Sequence, residues 1–310
     1  MKIEILMSAY NGEAYIREQL DSLLSQSVDD CHITVRDDGS RDGTASILQQ
    51  YQQRFPEKLS LIVDRENLGY PDCFWKLLAC APKADMYAYC DQDDVWDPDK
   101  LRCCEEKCRH VDPSSPMLYI HDYQVCDGQL TVYEEHHVDT GLLLRDSLYK
   151  SIYYSFAPGF SMVLNEALRQ RLLRDPLMKK DIPHDRWTMW SGLVAGEIVH
   201  DGRMLVKYRR HEKTVTQTGK SNLIMLREWW RDDVMSDRLA GWSVIARRFA
   251  DCYKDDMDAI DKSCYARWRF IAGGGSGIAA YFRRLFYPHR LKPTLAGEVV
   301  LRICFLMNKK

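Results

Sequence analysis

Four short apolar runs, at residues 3–7, 33–35, 59–63 and 86–90, recur through the first ninety residues, with helical spacing between them. Ile16, Leu20, Leu23 and Leu24 share one helical face after the first run, and Ile47, Leu48 and Tyr51 after the second. Phe74, Leu77 and Leu78 mark a third helix before the fourth run. Strands spaced by helices of this length predict an α/β domain with a mostly parallel sheet and helices on both faces. Polar clusters follow three of the runs: Ser8-Ala9-Tyr10-Asn11, Asp37-Asp38-Gly39-Ser40 and Asp91-Gln92-Asp93-Asp94. In an open α/β sheet, ligands bind beyond the carboxyl ends of the strands, so all three clusters are expected to face one crevice.

The last cluster is the most telling. It puts three carboxylates into four residues directly behind the run Met86-Tyr87-Ala88-Tyr89-Cys90. Negative charge crowded where water is scarce is costly unless a cation or ligand compensates it. The expected partner is Mg²⁺ or Mn²⁺, bound by oxygen ligands and shared with a phosphate group. A helix start does not account for these acids, because Asp97-Pro98 already supplies one. In the second cluster Ser40 or Asp42 is a natural helix cap, which leaves Asp37 and Asp38 unexplained. An ionised carboxylate only accepts hydrogen bonds, which suits Asp38 or Asp37 to contact with a nucleotide base. Neither G-x-G-x-x-G nor G-x-x-x-x-G-K-[ST] occurs at these loops, so dinucleotide and P-loop readings lose support.

Further along, a helix is expected from Asp99 to about residue 110, a strand over 117–121 and a turn at Asp127-Gly128. Pro158-Gly159-Phe160 leads into an apolar run at 161–164. His184-Asp185-Arg186-Trp187 interrupts apolar sequence, with a helix expected from Trp187, and Tyr208-Arg209-Arg210-His211 forms the last polar cluster. A domain boundary is placed near Lys220, giving a catalytic domain over 1–220 and a helical, basic region over 221–310. There Leu223, Leu226, Trp230 and Val234 keep helical spacing, as do Trp242, Ile245 and Phe249.

The formal charge of −2 hides an asymmetry: residues 262–310 hold ten Lys or Arg against the single acid Glu298, a net +9. Beside Phe282, Phe286, Tyr287 and Phe305, that charge points to an anionic membrane surface rather than to nucleic acid. No apolar stretch reaches the ~18 residues of a membrane span. Eleven cysteines without a secretory signal before them predict reduced, cytosolic thiols, and Cys103, Cys104 and Cys108 lack the second ligand pair of a zinc site.

Read in order, Ser8-Ala9-Tyr10-Asn11-Gly12-Glu13, Asp37-Asp38-Gly39-Ser40-Arg41-Asp42-Gly43-Thr44, Asn67-Leu68-Gly69 and Asp91-Gln92-Asp93-Asp94 resemble family 2 glycosyltransferases. The resemblance covers roughly residues 1–215. It implies the GT-A fold, a Rossmann-like domain that binds a nucleotide-diphospho-sugar, with a divalent metal and inverting transfer. It further implies base contact by Asp38, nucleotide-sugar contacts at Ser8, Tyr10, Asn67 and Gly69, ribose contact at Asp91, and metal at Asp93 and Asp94. Asp91-Gln92-Asp93-Asp94-Val95-Trp96, Asn67-Leu68-Gly69 with Phe74, Gly159 and His184-Asp185-Arg186-Trp187 are similar to bacterial rhamnosyltransferases. Those build O-antigen, capsule or exopolysaccharide from dTDP-L-rhamnose. The sequence departs from them at Arg186, where a second aromatic residue is expected, and at Glu212 and Lys213.

That resemblance makes Asp185 the general base and places Gly159, His184 and Trp187 at the sugar and acceptor pocket. It gives His211 to the metal or diphosphate, and Arg209 is matched to diphosphate oxygens. The expected partners are a sugar nucleotide and a lipid-linked saccharide at the inner face of the cytoplasmic membrane. Two other classes fit an acidic, metal-binding crevice. A nucleotidyltransferase or pyrophosphatase would normally show a lysine-bearing phosphate loop, which residues 8–13 lack, and the intact Asp93 and Asp185 weigh against a non-catalytic sugar-nucleotide-binding subunit.

Overall fold

The computed structural model describes residues 1–64, 66–143, 145–174, 182–211, 238–273, 278–292 and 294–307. The chain forms two compact units: Met1–Val138, Ala157–Gly192 and Gly196–Val215 make the first, and Asp139–Phe156, Leu193–Ala195 and Thr216–Lys310 the second. The boundary expected near Lys220, the helix expected from Leu223 to Val234, and Glu212 and Lys213 lie outside the described residues.

The first unit is built on strands β1 (Ile3–Ala9), β2 (Cys31–Asp38), β3 (Leu59–Asp64) and β4 (Met86–Cys90). They are connected by helices α1 (Ile16–Leu24), α2 (Thr44–Arg54) and α3 (Asp72–Cys80). These four strands are parallel in the order β3-β2-β1-β4. β4 is apolar on both faces, as expected of a strand covered by helices: all five of its residues are buried. Ile16, Leu20 and Leu23 of α1, and Ile47 and Leu48 of α2, enter the core.

Beyond β4 the sheet becomes mixed. β5 (Val95–Trp96), helix α4 (Lys100–Cys108), β6 (Met117–Cys126), β7 (Val132–His136), β8 (Met162–Asn165), helix α5 (Glu166–Leu173), helix α6 (His184–Ala195) and β9 (Glu197–Arg209) follow in chain order. β8 is antiparallel to β4 and β6, β9 is parallel to β6, and β5 returns antiparallel to β9. β6 continues five residues past the expected strand, to Cys126, because β9 pairs with it as far as Arg209. Cys103, Cys104 and Cys108 are buried on α4, where the sulfurs of Cys104 and Cys108 lie 4.0 Å apart.

The second unit is helical in its described part, with helices Arg238–Cys252, Lys254–Ile260, Cys264–Ile271, Ile278–Leu285 and Leu295–Met307. Phe249 stacks on Tyr253 at 4.5 Å and leans on Trp268, whose indole N–H donates to the Ala246 carbonyl at 2.7 Å. The Tyr153 hydroxyl donates to the Ile271 carbonyl at 2.7 Å, anchoring residues 139–156 within this unit.

Candidate active site

The crevice follows from the strand order. From β1 the chain winds outward to β2 and β3, then returns to the other side of β1 as β4. Connections to either side of one strand leave a gap above its carboxyl end. Register aligns the three polar clusters there: Ala9 stands opposite Asp37, and Met7 opposite Cys90. Side chains then tie the loops together. The Tyr10 N–H donates to Gln92 Oε1 at 2.7 Å, and Gln92 Nε2 donates back to the Tyr10 carbonyl at 3.0 Å. The Asn11 N–H donates to Ser40 Oγ at 2.9 Å, and the Arg41 N–H donates to Asn11 Oδ1 at 2.8 Å. Tyr10 stays exposed at the mouth, whereas Ser8 is half-buried beside Cys73.

The acidic loop after β4 is electrostatically strained. Burial pushes the Asp91 carboxyl up to about 7, and the charges of Asp93 and Asp185 push the same way. Asp185, from a distant part of the chain, lies near enough to act on Asp91, and Tyr70 feels both charges. Asp93 is half-buried and its Oδ2 lies 2.9 Å from His211 Nε2. The His211 ring stacks on Tyr15 at 4.8 Å. Asp94, expected as a further metal ligand, is fully buried instead. Its Oδ1 accepts from the Arg209 N–H at 3.1 Å, its Oδ2 has no partner among the described residues, and burial holds its carboxyl well above the ordinary range. Asp91 and Asp93 stay half-buried, whereas Asp94 is covered by Arg209 of β9.

Asp93 and His211 offer one hard oxygen and one nitrogen donor. Among the described residues no group of three or more His, Cys, Asp or Glu is gathered for a metal. The pair therefore does not fit an enclosed structural site. It fits a cation such as Mg²⁺ or Mn²⁺ that completes its sphere with water and phosphate oxygens.

On the other wall stands the first turn of α6. The helix begins at His184, three residues before the expected start, so Asp185 lies inside it rather than capping it. A carboxylate in a first turn is favoured by the helix dipole. Asp185 Oδ1 accepts from the Arg186 N–H at 2.7 Å and from the Tyr70 hydroxyl at 3.3 Å. Beneath it His184 is buried, stacked on Phe74 at 4.0 Å and met edge-on by Tyr89 at 4.6 Å. Neither of its ring nitrogens has a hydrogen-bond partner among the described residues, and burial pushes its pKa down to about 4. Gly159 makes this approach possible: a Cβ there would lie 2.7 Å from His184 Nε2.

Three expected ligands have different surroundings from those anticipated. Trp187, expected to offer a face to a sugar, is wholly buried with Trp190 one turn later, because the inner stripe of α6 runs through both. Arg209, matched to diphosphate, is buried and committed within the protein. Its Nε donates to the Asp93 carbonyl at 2.8 Å, its Nη1 to the Gly128 carbonyl at 2.7 Å and its Nη2 to Glu18, while the guanidinium lies 4.5 Å above the Tyr15 ring. Asp38 is likewise engaged: it accepts from the Leu68 N–H at 3.0 Å and the Gly69 N–H at 2.7 Å, and pairs with the buried Arg36. It holds the loop bearing Asn67, which is exposed, and the half-buried Gly69, whose φ of +69° suits glycine.

Three residues of this site were not singled out from the sequence. Gln92 clasps the first and fourth strand ends. Tyr70 reaches Asp185, and its signal was an aromatic residue directly after a glycine in a polar loop. Lys100 is fully buried, donates to the Phe160 carbonyl at 2.7 Å and lies 3.2 Å above the Trp96 ring. Burial pushes its pKa down to about 7, opposed by the negative groups around it, Asp94 and Asp91 among them. Its signal was position: Lys100, Cys104 and Cys108 recur every four residues on the buried face of α4.

Residues 4–169 match the family described as Glycosyl transferase family 2. An uncharacterized glycosyltransferase of Nostoc sp. is 33% identical over 128 residues, covering 41% of this chain and 38% of that protein. The dTDP-rhamnosyl transferase RfbG of Shigella flexneri is 32% identical over 99 residues, covering 31% of this chain and 34% of that protein. The matches thus span little more than a third of either relative's length. Among solved structures, S. aureus TarS 1–349 in complex with UDP-GlcNAc is similar with a TM-score of 0.57 at 14% identity, covering 92% of this chain and 88% of that one. A mannosyltransferase from Pyrobaculum calidifontis in complex with GDP-Man and Mn²⁺ is similar with a TM-score of 0.52 at 15% identity, covering 99% of this chain and 73% of that one.

Proposed function

The chain belongs to glycosyl transferase family 2 and has the GT-A fold, and from that premise we propose that it is an inverting, metal-dependent hexosyltransferase. In this reading it moves L-rhamnose from dTDP-L-rhamnose to a hydroxyl of a growing, lipid-linked surface polysaccharide such as O-antigen. One observation carries the chemistry. Asp91 and Asp93 at the end of β4, and Asp185 at the start of α6, share one crevice closely enough for the second and third to raise the proton affinity of the first. The similarity to RfbG over 99 residues supports the choice of donor.

The nucleotide end of the donor lies along Ser8, Tyr10 and the loop that Asp38 braces. Asp93 and His211 would hold the Mg²⁺ or Mn²⁺, which when bound neutralises charge on the leaving diphosphate. Asp185 accepts the proton of the acceptor hydroxyl as that oxygen attacks the anomeric carbon from the face opposite the diphosphate. The new C–O bond forms as the old one breaks, and the configuration inverts. Tyr70 and the helix dipole orient Asp185 for this step, while Gly159 and His184 form the floor beneath the sugar. Among the described residues no helix is long and apolar enough to cross a membrane. Access to a lipid-linked acceptor therefore goes with peripheral attachment at the cytoplasmic face.

The test is thermal unfolding of the purified chain with dTDP-L-rhamnose, UDP-glucose and GDP-mannose, each with and without Mn²⁺. A saturating donor at ~100 Kd stabilises by about 2.7 kcal/mol, and dTDP-L-rhamnose with Mn²⁺ is expected to give the largest rise. Preference for a UDP-sugar would reassign the donor and keep the chemistry. The absence of any response to all three, with metal or without, would reject the reading. Asp185→Asn is expected to lose transfer by about 10²–10⁴-fold with donor binding intact, which separates an enzyme from a non-catalytic subunit.

A further inference from the structure

Two helices of the second unit carry exposed apolar side chains among the described residues. In helix Leu295–Met307 the buried positions are Glu298, Leu301, Cys304 and Phe305. Leu295, Val299 and Leu306 lie within about 40° of one another around the helix, on another side. All three are exposed, Leu295 by 63%. A helix facing water alone would carry polar residues there. In helix Ile278–Leu285 and just after it, Phe282 and Phe286 stand four residues apart with rings stacked 6.3 Å from each other, and Phe286 is 73% exposed. Between these rings and Phe270, Tyr287, Pro288 and Arg283 runs a groove of about 510 Å³.

The two helices are locked as a hairpin. Arg302 donates to the carbonyls of Arg284, Leu285, Tyr287 and His289 at 2.6–3.1 Å, satisfying groups at the end of the first helix. Glu298 accepts from the Leu291 and Lys292 N–H groups at 2.8 and 2.9 Å and pairs with Arg302. The exposed side chains therefore stand on a braced element. Charge accompanies them. Arg267, Arg269 and Arg302 are engaged with Asp261, Asp251 and Glu298. Arg283 and Arg290 have no carboxylate partner among the described residues.

We propose that this hairpin docks on the surface of an anionic lipid bilayer, with Phe282, Phe286, Leu295 and Val299 in the interfacial layer and Arg283 and Arg290 at the level of the lipid phosphates. Apolar side chains along two helices, beside Arg283 and Arg290 in a segment of net +9, match a surface that offers hydrocarbon beneath negative charge. Nucleic acid would meet the charge and leave the aliphatic stripe in water. The proposal deepens the membrane part of the reading above by naming the face, and it needs no assumption about the donor.

The experiment is co-sedimentation of the full chain with vesicles of phosphatidylcholine alone, and of phosphatidylcholine mixed with phosphatidylglycerol, at low and high salt. Binding to the anionic vesicles only, weakened by salt, is the expected result. The double variants Phe282→Ser with Phe286→Ser, and Arg283→Glu with Arg290→Glu, should each lower partitioning by about tenfold or more. Their thermal unfolding and their response to sugar nucleotides should match those of the parent chain. Equal binding to both vesicles, or binding unchanged in both double variants, overturns the proposal. So does a parent chain that ignores vesicles while the variants alter its oligomeric state, since the face would then join proteins. Vesicle binding by a chain that responds to no sugar nucleotide supports the docking face and counts against the transferase reading alone.

Discussion

Asp91 shows how far surroundings can move one group. Desolvation pushes its carboxyl up to about 7 in the folded chain from an ordinary value of 3.8. A raised pKa means that folding favours the neutral acid. That contribution is complete below about pH 4 and is lost as pH rises toward 7. Metal-free Asp91→Asn is therefore expected to melt higher than the parent at pH 8 and alike at pH 4, measured as the difference in Tm between the two chains. Lys100, whose depressed pKa acts with the opposite sign and gains stability as pH rises above about 7, feels the Asp91 charge, so the two chains are compared at each pH rather than one chain across pH. Gly159 makes a steric claim at the same scale. Gly159→Ala brings a methyl group to 2.7 Å from His184 Nε2, in a cage where the ring is already stacked on Phe74. Overpacking of this kind costs about 1–3 kcal/mol, readable by denaturant titration, and is expected to depress transfer as His184 shifts beneath Asp185.

Among the elements, the pairing of the acidic loop with β9 organises the site. Arg209 spans it, reaching the Asp93 carbonyl, Gly128 and Glu18 at once. Lysine cannot reproduce that fork, and a buried acceptor left without its donor costs about 1–3 kcal/mol. Arg209→Lys is expected to lose most of that in urea unfolding. Donor binding in the presence of Mn²⁺ should weaken with it, because Asp93 is held from behind by the same guanidinium. The loop at residues 67–71 is a second organiser: Asp38 fixes its amides, and Tyr70 at its tip meets Asp185. Asp38→Asn is expected to reduce transfer without touching the reacting atoms, seen as a fall in kcat with metal affinity unchanged. Neither linkage could be read from local periodicity. β9 carries few apolar residues in alternation, and its thirteen-residue length is set by the register that β6 and β5 give it.

For the molecule as a whole, metal and donor are expected to act together. Two protein donors bind a divalent cation weakly until phosphate oxygens complete its sphere. Mn²⁺ alone should then raise the Tm little, the sugar nucleotide alone moderately, and both together by more than the sum. Asp93→Asn should abolish that excess and leave the metal-independent part. A metal-free chain with full transfer activity would dismiss the cation from the reaction. The second unit enters through a different surface and a different partner, so its variants should leave this coupling unchanged.

By itself the sequence determined the alternation of strands and helices and the three polar clusters at strand ends, because local periodicity and turn chemistry act between near neighbours. It also determined the family, through short motifs in a fixed order. The tertiary structure decided which charges face open space. Asp93 stays half-buried while Asp94 is covered one residue later, and Trp187 is taken by the core. Arg209 is drawn to Glu18 across 191 residues of chain. Solvent exposure is a property of what packs against a side chain, and those neighbours come from parts of the chain that no local pattern connects.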